Sequence, residues 1–71
     1  MAELLAPMPG TILKLECAVG ETVAADQLVM VMEAMKMEVE LFAPAAGVVT
    51  EIPVAAGEPA AKGAVLLRIQ D

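Results

Sequence analysis

The sequence contains no histidine, one cysteine and one aromatic residue, Phe42, and these shortages limit both its chemistry and the composition of its core. Without histidine, the commonest general base and metal ligand at neutral pH is missing. The single cysteine, Cys17, cannot form an internal disulfide or a zinc site made of paired cysteines. We expect Cys17 to be a small apolar filler, so the fold has to be stabilised by packing of aliphatic side chains.

Basic residues are also few: the chain has four lysines and arginines, ten acidic residues and a net charge of −6. They form no basic patch, so we expect no binding of nucleic acid. The apolar runs are a few residues long, far from the roughly 20 that span a bilayer, so we expect no direct membrane insertion. No basic segment followed by an apolar run opens the sequence, and we therefore expect a cytoplasmic location.

The most informative feature that the sequence does contain is an internal repeat. Residues 1–34 align with residues 38–71 at a constant offset of 37 and without a gap, and residues 37 positions apart are called equivalent below. A chain of 71 residues is close to the lower limit for one hydrophobic core, so we expect a single domain over residues 1–71. The identical pairs are Glu3/Glu40, Leu4/Leu41, Ala6/Ala43, Pro7/Pro44, Gly10/Gly47, Ala18/Ala55, Gly20/Gly57, Glu21/Glu58 and Ala24/Ala61.

Alternation of apolar and polar residues predicts β-strands in both halves, and no stretch has a sustained helical period. Turn signals recur every few residues, which favours an all-β fold of about eight short strands in a small sandwich or flattened barrel. Pro9-Gly10 is predicted to occupy the central positions of a type II turn. The predicted inward-facing residues are Leu28, Met30, Met32, Val65, Leu67 and Ile69, and the predicted outward-facing ones are Val31, Glu33, Arg68 and Gln70.

The repeat also predicts where the ends of the chain lie. Two copies of one small unit usually pack about an approximate two-fold axis, because neither copy alone can bury its apolar face. The offset makes the Met35-Lys36 connection equivalent to the gap between the chain ends. We therefore expect both termini at one end of the domain and Lys36 at the other, separated by roughly 20–25 Å of strand.

The connection around Lys36 is predicted to be a two-residue hairpin loop between Ala34 and Met37. Such loops favour type I′ turns with positive φ at both central positions, and they usually contain Asn-Gly or a similar pair. Methionine and lysine cost about 1–2 kcal/mol each in the left-handed region. A local rule broken in this way marks a candidate functional position.

Two interpretations of Lys36 follow from position alone. A lysine at a hairpin tip is commonly solvated and chemically idle, but it is also an accessible primary amine for acylation by another enzyme. A lysine that forms Schiff bases has to lose its proton near neutral pH, which requires burial or a cationic neighbour. The neighbours here are Glu33, Glu38 and Glu40, so modification by another enzyme fits better than catalysis by the lysine itself.

The segment Glu33-Ala34-Met35-Lys36-Met37-Glu38 resembles the attachment motif of biotinyl domains, the biotin carboxyl carrier family. Ala6-Pro7-Met8-Pro9-Gly10 resembles the Ala-Pro-Met-Pro-Gly segment of the same family, and the resemblance extends over essentially the whole chain. It implies a flattened barrel or sandwich, a barrel-sandwich hybrid, of two four-stranded antiparallel sheets related by a pseudo-two-fold axis. The attachment lysine lies on a tight hairpin in that fold.

The resemblance also implies a function. The lysine corresponding to Lys36 takes biotin in amide linkage from a biotin protein ligase. The carrier then moves carboxybiotin from a biotin carboxylase to a carboxyltransferase or decarboxylase and catalyses nothing itself. Met35 and Met37, which flank the lysine, are candidate recognition residues, and Ala34, Glu33 and Glu38 are weaker candidates for recognition by the ligase. The resemblance implies that Glu33 and Glu38, which are expected to face outward, help the ligase to reject wrong substrates.

The flanking residues also have interpretations that need no partner. Met37 is in phase with Val39 and Leu41, so a core position is as well supported as a recognition role. Met35 has no packing role at a hairpin tip, and the small Ala34 would leave room for an enzyme to approach.

Two departures narrow the subtype that the resemblance suggests. Residues 16–20 align with residues 53–57 without a gap, so the inserted thumb of some bacterial acetyl-CoA carboxylase carriers is absent. The continuation Met37-Glu38-Val39-Glu40 is more similar to carrier segments of acyl-CoA carboxylases, pyruvate carboxylase or decarboxylases. Those segments usually follow an Ala/Pro-rich tether, so we expect either an excised domain or a free-standing small carrier. The alternatives are a lipoyl carrier, whose hairpin usually reads Asp-Lys-Ala, and an unmodified interaction module.

Overall fold

The computed structural model describes residues 1–71 and consists of eight β-strands without a helix, as predicted. It therefore has no helix of the length and hydrophobicity that crossing a membrane requires. The strands are β1 (Ala2–Leu5), β2 (Gly10–Leu15), β3 (Thr22–Val23), β4 (Leu28–Ala34), β5 (Met37–Phe42), β6 (Gly47–Glu51), β7 (Pro59–Ala60) and β8 (Val65–Gln70).

The strands form two four-stranded antiparallel sheets, with orders β1-β8-β6-β3 and β5-β4-β2-β7. An offset of 37 residues converts the first order into the second, strand by strand. The expected pseudo-two-fold relationship is thus present in the topology. The sheets form a flattened sandwich and not a closed barrel, elongated to 32 × 17 × 17 Å.

The turns repeat the same relationship at the level of single hydrogen bonds. Outside the strand ladders, twelve of the thirteen backbone hydrogen bonds form six equivalent pairs. The N–H of Ala18 donates to the carboxylate of Glu21 at 3.1 Å, and the N–H of Ala55 donates to the carboxylate of Glu58 at 2.7 Å. The unmatched bond runs from Glu16 N–H to a carbonyl of β4, because the residue equivalent to Glu16 is a proline, which has no N–H.

Four β-bulges also occur as two equivalent pairs, and they change which residues are buried. Val29 and its equivalent Leu66 are the extra residues in β4 and β8, and both are 0% exposed in the core. A strict period of two predicts that both residues face outward, so the alternation rule fails at these two positions. The prediction that Val31 faces outward is not confirmed, because Val31 is only 6% exposed, although it is not part of the core cluster.

The core fills the space between the two sheets with side chains from both halves. Met30, Met32, Leu67 and Ile69 face inward as predicted, whereas Leu28 and Val65 are only half-buried. The core cluster contains Ala6, Ile12, Val23, Val29, Met30, Met32, Leu41, Ala43, Val49, Ala60, Leu66, Leu67 and Ile69.

Cys17 is half-buried and packs against this core, as expected for an apolar filler. Burial, and secondarily the charge of Glu21, raises the pKa of its thiol, so the thiol stays protonated near neutral pH.

The prediction of a type II turn at Pro9-Gly10 is wrong. Gly10 is the first residue of β2, and its φ is not positive. Glycine is required there because a Cβ atom would overlap the carbonyl oxygen of Glu33 and lie 2.7 Å from Cε of Met32. The equivalent Gly47 approaches Gln70 in the same way.

The termini lie together, as predicted. The Met1 amino group and Oδ1 of Asp71 are 2.8 Å apart. From that end β1 runs along β8 until Leu5 pairs with Val65, and the chain then crosses to Gly10, which packs against β4 beside Ala34. The strand connections therefore place the termini and the β4–β5 hairpin at opposite ends of the long axis.

Candidate functional site

The candidate site is the tip of the β4–β5 hairpin, residues 34–37. Met35 and Lys36 form a two-residue turn, and the flanking residues Ala34 and Met37 are the last pair of the ladder. The φ angles of Met35 and Lys36 are 54° and 64°. These values confirm the predicted left-handed turn, whose twist matches that of the two strands.

The turn stays in this strained conformation because the hairpin beneath it is firmly held. β4 pairs with β5 on one side and with β2 on the other, so the strand that leads into Met35 is central in its sheet. Below the turn, Met32 is 0% exposed and Ala34 is 4% exposed. Packing at this base offsets the cost of about 1–2 kcal/mol for each left-handed residue.

The two methionines project away from this base. Met35 is 88% exposed and Met37 is 67% exposed, although both are large apolar residues. The core position considered for Met37 is therefore wrong. Met37 pairs with Ala34 at the end of the ladder. Leu41 belongs to the core cluster and Val39 packs against it, whereas Met37 does neither. Lys36 is exposed between the methionines, so its ammonium group is open to a large partner.

Ala34 has a structural reason to be small. Its Cβ lies 3.2 Å from the position that a Cβ atom on Gly10 would occupy. A larger side chain at either position would push β2 and β4 apart directly beneath the turn. Its side chain is buried, so the room that it leaves is filled by the neighbouring strand and not open to an approaching enzyme.

The carboxylates beside the tip are exposed, and two of them face each other. Glu33 and Glu38 are directly opposite across β4 and β5, an arrangement of like charges that destabilises a strand pair. The residue equivalent to Glu33 is the uncharged Gln70. The three ion pairs of the structure lie elsewhere, at Met1–Asp71, Arg68–Glu3 and Arg68–Glu51. The tip thus carries concentrated negative charge around one lysine.

The chemistry that this arrangement offers is that of a single exposed primary amine. The structure contains no enclosed cavity and no group of three side chains placed to hold a metal ion. Neither Glu33 nor Glu38 forms a hydrogen bond or ion pair with Lys36. The lysine is therefore presented, and not enclosed, by the fold.

Sequence reasoning missed the contribution of the segment that precedes β2. Gly10 packs beneath the tip, and the bend at residues 7–9 leads into it. A signal was available in the repeat, since residues 8 and 9 differ from their equivalents although their neighbours match.

A small sandwich of two copied halves that displays one lysine on a strained hairpin defines a class of carrier domain. Comparison with known proteins identifies the family: the model described as biotin-requiring enzyme, the biotin and lipoyl attachment domain, matches residues 2–69. The chain belongs to this family.

Three relatives indicate the range of proteins in which this unit occurs. The chain is 50% identical over 64 residues to a biotin carboxyl carrier protein of Streptococcus mutans, covering 90% of this chain and 49% of that protein. It superposes on Kluyveromyces lactis urea carboxylase with a TM-score of 0.90 at 30% identity, covering 97% of this chain and 6% of that one.

The third relative is the lipoyl domain of the 2-oxoglutarate dehydrogenase complex from Azotobacter vinelandii. The TM-score is 0.78 at 30% identity, covering 89% of this chain and 80% of that one. The chain thus spans about half the length of the carrier protein that it matches and 80% of the domain-sized structure.

Proposed function

We propose that this chain is a biotin carboxyl carrier, with biotin attached covalently to Lys36. The observation that carries the proposal is the exposed lysine on a rigid left-handed turn, flanked by Met35 and Met37. The 50% identity to a protein named biotin carboxyl carrier protein supports biotin as the attached group.

The residues of the tip fit such an attachment. The amine of Lys36 would hold the biotin carboxyl group as an amide, and the exposed surroundings leave space for it. Bound biotin supplies the ring nitrogen that carries a carboxyl group. The chain supplies a rigid hairpin that fixes the origin of the arm, and it places the termini at the opposite end.

The proposed partners follow from this role. They are a biotin protein ligase that modifies Lys36, a biotin carboxylase, and a carboxyltransferase or decarboxylase that receives the carboxyl group. Structural similarity to urea carboxylase and identity to the carrier protein support partners of the carboxylase kind. In this scheme the chain is a non-catalytic carrier, and the partner enzymes perform the chemical steps.

A lipoyl carrier is the second candidate, because a lipoyl domain shares this fold over most of both chains. The Met35-Lys36-Met37 sequence opposes that role, since lipoyl hairpins usually contain Asp-Lys-Ala. An unmodified interaction module is the third candidate. The three differ in what is bound to Lys36, so one measurement separates them.

The test is the intact mass of the chain after co-expression with a biotin protein ligase. We expect one biotin adduct in the wild type and none in Lys36→Arg, which retains the charge. Lys62→Arg is the matched control, because Lys62 is also an exposed lysine in a turn. A lipoyl adduct, no adduct, or a biotin adduct that persists in Lys36→Arg would each contradict the proposal.

A further inference from the structure

The internal repeat provides a reference for the segment that joins β1 to β2. Ala6 and Pro7 are identical to their equivalents Ala43 and Pro44, but Met8 and Pro9 are replaced by alanines in the second half. Both segments are nonetheless bends with an equivalent backbone hydrogen bond. Ala6 N–H donates to Ala64 at 2.9 Å, and Ala43 N–H donates to Gln27, the equivalent acceptor, at 2.8 Å.

The first connection, between β1 and β2, and the second, between β5 and β6, differ in which part of the molecule lies beside them. Thr11 pairs with Glu33, and Gly10 packs against Ala34, so the first connection approaches the Lys36 turn. The second leads into Gly47, which packs against Gln70 beside the chain ends. Met8 and its equivalent Ala45 thus occupy the same local structure at opposite ends of the molecule.

The bulk of Met8 is not required by the fold. Met8 is half-buried and does not belong to the core cluster or to the residues packed against it. Ala45 is also half-buried, so alanine satisfies the same backbone conformation. The large side chain is present only at the end that carries Lys36, where Met35 and Met37 are exposed. Methionine suits adaptable contact surfaces, because it is unbranched and its thioether is polarizable.

We propose that Met8 forms one apolar rim with Met35 and Met37 around Lys36, and that biotin protein ligase contacts this rim, including Met8, when it binds the tip. The inference rests on the proposed function and adds to it a residue that is distant in sequence from the hairpin. The rim presents apolar side chains from two connections, which a ligase surface can cover together. Met8 is a recognition residue in this scheme and takes no part in the chemistry.

The test measures kcat/KM for biotinylation by purified ligase with Met8→Ala and Ala45→Met. Met8→Ala makes the first connection like the second, and we expect kcat/KM to fall about fivefold or more as apolar contact is lost. Ala45→Met adds the same side chain at the other end, and we expect no change. Met8→Leu is expected to retain most of the rate, since it keeps the apolar volume.

Met8→Gln provides a second variant that keeps the side-chain length but removes its apolar character. It is expected to reduce kcat/KM as Met8→Ala does, with thermal unfolding of both variants close to that of the wild type. If the wild type accepts biotin and both variants match its rate, the role of Met8 is wrong while the proposed function stands. If the wild type accepts no biotin, the proposed function and this inference both fail.

Discussion

The amino group of Met1 lies 2.8 Å from Oδ1 of Asp71, and this ion pair closes the end of the sandwich opposite the hairpin. Asp71 is equivalent to Ala34 and Met1 to Glu38, so the pair occupies the place where the Met35–Lys36 turn closes the other end. The gap between the two chain ends and the covalent Met35–Lys36 turn are therefore equivalent positions in one pseudo-symmetric fold. Attachment to a larger assembly through the termini would leave the lysine end unobstructed.

This junction predicts a small pH dependence of stability in the chain. A hydrogen bond from the Met1 amino group, a backbone hydrogen bond and the positive charge of that group lower the pKa of Asp71. The ion pair therefore stabilises the fold above the ordinary carboxyl pKa of about 3.9, and the contribution disappears as pH falls through the lowered value. Both groups are largely solvated, so the effect is expected to be small.

Asp71→Asn tests this dependence through urea unfolding midpoints. The wild type is expected to have a slightly higher midpoint at pH 7, and the difference is expected to disappear as the pH falls through the lowered pKa of Asp71. A difference that grows as the pH falls would contradict the assignment.

Gly10→Ala is expected to destabilise the chain by about 1–3 kcal/mol, because the added Cβ overlaps the Glu33 carbonyl oxygen and crowds Met32. Chemical denaturation measures the loss. Gly47→Ala, at the equivalent position, should lose a similar amount. Only Gly10→Ala is expected to slow biotinylation as well, since it displaces Ala34 beneath the turn. Equal biotinylation of both variants would show that the base of the tip does not position Lys36.

Met35→Asn is expected to raise stability by about 0.5–1 kcal/mol, because asparagine tolerates the left-handed conformation that Met35 adopts. The same change is expected to slow biotinylation through loss of an exposed thioether. Met37→Asn is the control for stability, since Met37 lies in a strand and has no positive φ to relieve. If Met35→Asn lowers the free energy of unfolding, the turn is not a source of strain.

Hydrogen peroxide is expected to oxidise Met35 and Met37 to sulfoxides before it reaches Met30 and Met32, with water as the other product. The first two are 88% and 67% exposed, whereas the other two are 0% exposed. The expected rate ratio exceeds about a hundredfold, because the buried thioethers are reached only through unfolding. Peptide mass mapping over time measures it, and oxidation of all four at similar rates would contradict the structure.

The repeat explains why so much of the fold was predictable. Positions that are ambiguous in one half are clarified by their equivalents, such as Met30 by Leu67 and Met32 by Ile69, which are buried in both halves. Two copies that need a common core also limit the topology to a pseudo-symmetric pair of sheets. The left-handed turn at Met35-Lys36 follows from loop length alone, because a two-residue hairpin has few backbone solutions.

The failures share one cause, which is that a local sequence pattern contains no information about the neighbouring strand. Bulges turn Val29 and Leu66 into the core, and nothing in their own segments indicates the extra residue. Met37 is in phase with buried residues yet is 67% exposed at the last pair of the β4–β5 ladder. Gly10 resembles a turn glycine, but its function is to let β2 approach β4 closely.

The sequence by itself determined the all-β class, the duplicated halves, the family resemblance and the lysine that the tip presents, because these follow from residue identity and periodicity. Only the tertiary structure decided that Met35 and Met37 are both exposed, that Ala34 is small for packing, and that Glu33 faces Glu38. These properties depend on strand register and on the packing of the strands against one another. Both are set by contacts between residues far apart in the chain.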